Sequence, residues 1–190
     1  MKLSKAISPL IVLALTLVFS AAPAMAQRGE SAPKKATVDK NVTACLNRFY
    51  KQIPGAKEAV ANAKAVLVMP GVVQAGFFIG GESGFGAMRQ GGKTIGYYNL
   101  VAGTLGFSIG VEKMDVIILF NNQAALDKFK NTQGWEAGVD ADVVAANVGK
   151  GKTVDWTKVH DDIDSFVFGQ KGLMADYSMK GGKFTKVDLK

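Results

Sequence analysis

A 47-residue stretch from Lys64 to Gly110 limits what this chain can fold into more than any other feature. It is apolar, nearly free of acidic residues, and holds 12 of the chain's 22 glycines, all between Gly71 and Gly110. Glycine weakens helices and strands and exposes backbone. Yet the same stretch carries Phe77, Phe78, Ile79, Phe85, Tyr97, Tyr98 and Phe107, so it is not a linker. It reads as short strands whose backbones turn sharply or approach something closely. Ala65–Met69 is a continuous apolar run stopped by Pro70-Gly71, the pattern of a buried strand. Further short strands are expected over Val73–Gly80, Phe85–Arg89, Thr94–Val101 and Leu105–Glu112. Gly91-Gly92 signals a hairpin between two of them. Lys113-Met114 reads as another tight link, followed by Asp115–Phe120, the strongest strand pattern in the chain.

The N-terminal side is helical. Val38, Val42, Cys45, Leu46, Phe49 and Ile53 lie on one helical face, with Thr37 as the expected cap. Lys40, Ala44, Arg48 and Lys51 line another, basic face. Pro54-Gly55 ends this helix, and a short second one is expected over Lys57–Ala63. After the strands, Ala124–Lys130 has helical spacing. Trp135 is a candidate anchor in a Gly-, Ala- and Asp-rich segment, and strands are expected over Ile163–Phe168, Leu173–Ser178 and Phe184–Leu189. Strands that follow one another with few helices between them favour an α+β fold with an antiparallel sheet over a doubly wound parallel one.

Residues 1–26 have the form of a cleaved secretory signal: Lys2 and Lys5, an apolar run from Leu10 to Phe19, and Ala24-Met25-Ala26 at the cut. Residues 27–36 read as a disordered leader and 37–190 as one domain. The secreted chain is expected in the periplasm or beyond. Removing Lys2 and Lys5 from the 23 basic residues leaves 21 against 16 acidic ones, a net charge of +5. In that compartment nucleic acid is scarce, whereas anionic phospholipid headgroups are abundant. The same charge also serves solubility. Cys45 is the single cysteine, so no internal disulfide forms, and a small buried residue is the expected role.

Motifs for chemistry fall short. Gly86–Thr94 resembles a phosphate-binding loop, but Ala87 stands where the first glycine is required. Gly81–Gly86 resembles a nucleophile elbow, but Phe85 replaces the last glycine. A hydrolase would need Ser83 with His160, the only histidine, and Asp155, Asp162 or Asp164. His160, Asp161, Asp162 and Asp164 lack metal-site spacing and read as a solvated turn. The Gly76, Gly80, Gly84 spacing suits packed membrane helices, but Gln74, Glu82 and Arg89 interrupt it. The expectation is a non-catalytic protein without cofactor or metal.

Five blocks in order resemble the SYLF lipid-binding domain family: Ala63–Met88, Leu100–Phe120, Ala125–Phe129, Gly138–Lys150 and Phe166–Phe184. With the helical lead-in the likeness runs from Val38 to Leu189. Ile95-Gly96-Tyr97-Tyr98 stands in place of the family's Trp-Ser-x-Pro-like stretch. Ser108 replaces a common glutamine and Asp176 a common glycine. The resemblance implies a compact lipid-binding domain, with a curved or barrel-like sheet, that associates with an anionic phospholipid surface. Family practice assigns membrane contact to the amphipathic helix and a basic surface. The matching residues are Lys40, Arg48 and Lys51 with apolar Val42, Leu46, Phe49 and Ile53; Arg89 and Lys93 beside the hairpin add candidate headgroup contacts. Any helix packed on a globular core has the same two faces. Actin and phosphoinositide are not expected partners in the periplasm. The alternatives are a structural or stress-related envelope protein binding a protein partner, and a hydrolase acting on lipid or envelope polymer.

Overall fold

The computed structural model describes residues 32–141, 144–147, 154, 156, 161–171 and 181–190, as backbone alone at 76–79, 104–110, 144–147 and 170–171. The expected signal peptide, residues 27–31 of the leader, the strand at 173–178 and His160 lie outside the described residues, and Lys35 and Ala36 of the leader open the first helix. The elements are α1 (Lys35–Gln52), α2 (Ala56–Asn62), β1 (Ala65–Gln90), β2 (Lys93–Phe120), α3 (Gln123–Asn131), β3 (Trp135–Glu136), β4 (Val144–Asn147), β5 (Ile163–Lys171) and β6 (Lys183–Val187). They form an α+β fold with an N-terminal helix and one curled sheet.

The six expected strands from Ala65 to Phe120 are two. β1 and β2 form one hairpin, paired from Ala65↔Phe120 to Gln90↔Lys93, and it turns at Gly91-Gly92, both at positive φ. The glycines and Pro70 do not break the strands. The pairing absorbs them through register shifts at Met69/Val72, Phe77/Phe78 and Met88/Arg89, which bend and twist a strand without ending it. Lys113-Met114 is likewise inside β2, next to a shift in the pairing with β5. On its second edge β2 pairs with β6 at Tyr97–Val101 and with β5 at Lys113–Phe120. Pairings between the described strands are antiparallel except β4 beside β5, which is parallel.

The hairpin curls until its own ends meet. Leu67 and Met69 near the start of β1 and Met88 near its end share one core with Val116, Ile118 and Phe120. At this crossing a Cβ on Gly86 would overlap the Val68 carbonyl oxygen and the Met69 sulfur, and one on Gly84 would lie 3.0 Å from a Val72 methyl. Glycine here makes room for backbone against backbone.

Period two then sorts the side chains. Ala65, Leu67 and Met69 face the inside of the curl, where α3 supplies Leu126 and Phe129, and Trp135 closes the cluster. The Phe129 ring lies 4.9 Å from that of Phe120 and 5.1 Å from that of Trp135. Val66, Val68, Ile117 and Leu119 face outward onto α1. Both faces are covered, which is why Ala65–Met69 and Val116–Phe120 are continuous apolar runs with no polar alternation.

Helix α1 starts two residues before the expected cap at Thr37. The Lys34 side chain makes no cap, and the Lys35 amide instead donates to the Lys190 carbonyl at 3.0 Å. Helix α3 is capped locally: Asn122 accepts from the Ala125 amide at 2.8 Å.

Candidate functional site

The apolar stripe of α1 is structural. Val42 and Phe49 have no exposed surface and Ile53 is 1% exposed. The Phe49 ring sits 5.3 Å from both Phe166 and Phe168, in the cluster beneath the sheet. Each such side chain stabilises the fold by ~1.5–3 kcal/mol when buried, so turning it out to a bilayer would forfeit that packing. The expectation that Val42, Phe49 and Ile53 meet lipid is therefore corrected. Their partner surface is the outer face of β1, β2 and β5, which has the matching apolar period. Of the four apolar candidates only Leu46 stays partly open.

The basic candidates divide. Lys40, Lys51 and Lys93 are exposed. Lys40 and Lys51 are eleven residues apart, about three turns, and so project from one side of α1. Arg48 instead reaches the sheet. Its Nε donates to Asp115 Oδ2 at 2.8 Å and its Nη2 lies 2.7 Å from the same oxygen. The other Asp115 oxygen accepts from the Gly71 amide at 2.9 Å. Gly71 stands at positive φ in the first register shift, so one carboxylate fixes the helix, the bulge and β2 together. Cys45 packs beside this pair. Burial, then the Asp115 charge, pushes its thiol far above the ordinary range, leaving it an inert core residue.

Arg89 is also engaged. Its guanidinium donates to the Gly92 carbonyl at 3.1 Å, to Asp39 Oδ1 at 3.3 Å and to Thr43 Oγ1 at 3.3 Å. Asp39 further accepts from the Thr94 hydroxyl at 2.7 Å and the Tyr97 hydroxyl at 2.8 Å. Partial burial pushes the Asp39 carboxyl up. The two hydroxyl donors and the Arg89 charge together outweigh it and hold the group below its ordinary value. This cluster clamps the hairpin tip onto the second and third turns of α1.

Between that clamp and α2 lies a cleft of about 350 Å³. Leu46 and Tyr50, one turn apart on α1, form one wall, and Val60 of α2 with Ala63 just past its end form the other. Lys57 and Arg89 supply positive charge at its border, and Gly91 and Gly92 complete it at the hairpin tip. Burial raises the Tyr50 hydroxyl pKa. The arrangement joins an apolar lining to two cations. Tyr50, Lys57 and Val60 were not singled out in the sequence, and neither was Asp39. The i, i+4 series Asp39, Thr43 and Leu46, Tyr50 marks this face, but nothing local says that a hairpin tip 46 to 58 residues away lands on it.

Ser83 is exposed on β1. Asp162 and Asp164 are taken up by structure: Asn122 donates to Asp162, and Asn121 donates to Asp164 Oδ2 at 2.5 Å. Among the described residues no group of three or more His, Cys, Asp or Glu side chains is placed to hold a metal ion. No described helix is long and apolar enough to cross a membrane.

No curated protein matches the chain. A family model does: residues 101–188 match Ysc84, described as Las17-binding protein actin regulator. The matched segment starts about a third of the way along β2 and ends just past β6, so α1, α2, β1 and every residue lining the cleft precede it. Over that segment, from Val101 to Asp188, the chain is similar to this family, which is consistent with its resemblance to SYLF domains.

Proposed function

We propose that this is a non-catalytic, secreted lipid-binding domain that associates peripherally with anionic phospholipid on the periplasmic side of a membrane. The observation that carries the reading is the pairing of an apolar cleft with cations, next to further exposed lysines on α1 and at the hairpin tip. The likeness to the SYLF family supports the ligand class. Attraction to an anionic surface contributes ~1 kcal/mol per Lys or Arg. Lys40, Lys51, Lys57 and Lys93 together then reach ~4 kcal/mol, which corresponds to a dissociation constant of roughly 1 mM. Cations alone give weak binding, and any tighter association draws on Leu46, Tyr50 and Val60, since the α1 stripe is spent inside. Actin regulation belongs to the family model's description. The secretory leader read in residues 1–26 argues for a compartment without actin, and actin is not part of the proposal.

Co-sedimentation with vesicles tests it. The protein pellets with phosphatidylglycerol-containing vesicles at low salt, less so as salt shortens the screening length towards ~8 Å and below, and not with purely phosphatidylcholine vesicles. Equal recovery with both compositions at every salt concentration refutes the electrostatic route.

A further inference from the structure

We infer that the cleft between α1, α2 and the hairpin tip takes one single-chain anionic amphiphile, with its acyl chain along Leu46, Tyr50 and Val60 and its headgroup at Arg89 and Lys57. The inference takes its ligand class from the lipid-binding reading and adds a site, a chain number and a charge. The cleft volume of about 350 Å³ stands at the lower end of the ~300–1,000 Å³ that ligand pockets span. That suits one slender chain and not a two-chain lipid.

Arg89 supplies the argument for the headgroup. Its Nη1 and Nη2 are occupied by Gly92, Asp39 and Thr43. Its Nε is buried and has no hydrogen-bond partner among the described residues. A buried donor left unmet is unfavourable, and the deficit falls on the residue that lines the cleft. A carboxylate or phosphate headgroup at the cleft border would meet the Arg89 charge, and a small shift of that side chain would let Nε donate to it. Asp39 neutralises part of the Arg89 charge, and three donors already share its carboxylate. Lys57, exposed and without an ion-pair partner among the described residues, would balance the ligand's charge. An uncharged amphiphile could accept from Nε but would bring no charge to Arg89 and Lys57, so anionic ligands are preferred.

Calorimetric titration with laurate below its micelle concentration tests the site. The expected result is saturable binding at one laurate per protein, with at least threefold weaker binding of lauryl alcohol. Val60→Glu, which puts a negative charge in the chain wall, abolishes binding. Arg89→Gln and Lys57→Gln each weaken it at least threefold, and Lys130→Gln, exposed on α3 and outside the lining, leaves it unchanged. Lys57 is solvent-exposed, so Lys57→Gln remains informative should either of the other two variants fail to fold. Non-saturable uptake, equal binding of the alcohol, or indifference to Lys57→Gln overturns the inference. Loss of laurate binding in a protein that still pellets with anionic vesicles removes the cleft site and keeps the membrane reading. One-to-one laurate binding without vesicle pelleting keeps the site and removes the membrane reading.

Discussion

Gly86→Ala probes the crossing that closes the curl. A single added methyl would overlap the Val68 carbonyl oxygen and the Met69 sulfur and lie 2.9 Å from the Val68 carbonyl carbon. Met69 is flexible, but Val68 is backbone in a sheet with both faces packed, so it cannot step aside alone. Overpacking of this kind costs ~1–3 kcal/mol, and a backbone obstacle puts it near the top of that range. Replacing glycine also restricts the unfolded chain, which returns ~0.4–1 kcal/mol. The net expectation is a loss of about 2 kcal/mol, or about 4–8 °C in midpoint for a domain of this size. Gly103→Ala is the matched control: it lies on β2, is exposed, has no positive φ, and its Cβ would meet nothing within 4 Å. Urea denaturation followed by circular dichroism measures both variants. If Gly86→Ala matches the parent to within ~0.5 kcal/mol, the spread of ordinary surface substitutions, the backbone-on-backbone crossing is wrong.

Asp115→Ala leaves the Gly71 amide without its acceptor, while Arg48 can turn to water; the expected loss is about 2 kcal/mol in urea unfolding, and a loss below ~0.5 kcal/mol refutes the three-way anchor. Cys45 has no exposed surface and should resist a thiol-reactive dye in the native protein while labelling at once in denaturant; fast native labelling contradicts its core placement. The Asp39 carboxyl titrates below its ordinary value of 3.8, so its contribution to stability is complete above the unfolded-state value and is lost as pH falls through the folded one. The stability gap between parent and Asp39→Asn should therefore hold from neutrality down to about pH 5 and close on further acidification; a gap that does not change with pH refutes the linkage.

Much of the architecture was legible wherever a local rule sufficed. Gly91-Gly92 marked the hairpin, Ala65–Met69 and Asp115–Phe120 marked buried strands, and the spacing of Leu126 and Phe129 marked α3. Trp135, expected as an anchor, is 1% exposed inside the curl. The failures share one cause, which is partners distant in sequence. Pro70-Gly71 looks like a strand end because the rule does not see Asp115, 44 residues on, satisfying the Gly71 amide. Thr37 looks like a cap because the acceptor that serves instead belongs to Lys190. The period of Val42, Phe49 and Ile53 was read correctly, but periodicity does not say whether protein or lipid covers a face. The cleft was missed because it forms only when two helices and a hairpin tip converge.

The central claim is that exposed cations, and not the helix stripe, bring the protein to an anionic surface. Reversing Lys40 and Lys51 together, as Lys40→Glu with Lys51→Glu, tests it in a vesicle pelleting assay at low salt, since both side chains are exposed and neither has a salt-bridge partner among the described residues. Removing two attractions of ~1 kcal/mol each and replacing them with repulsions lowers the bound fraction at least tenfold, with the folded state intact by circular dichroism. A bound fraction that matches the parent's would contradict the account.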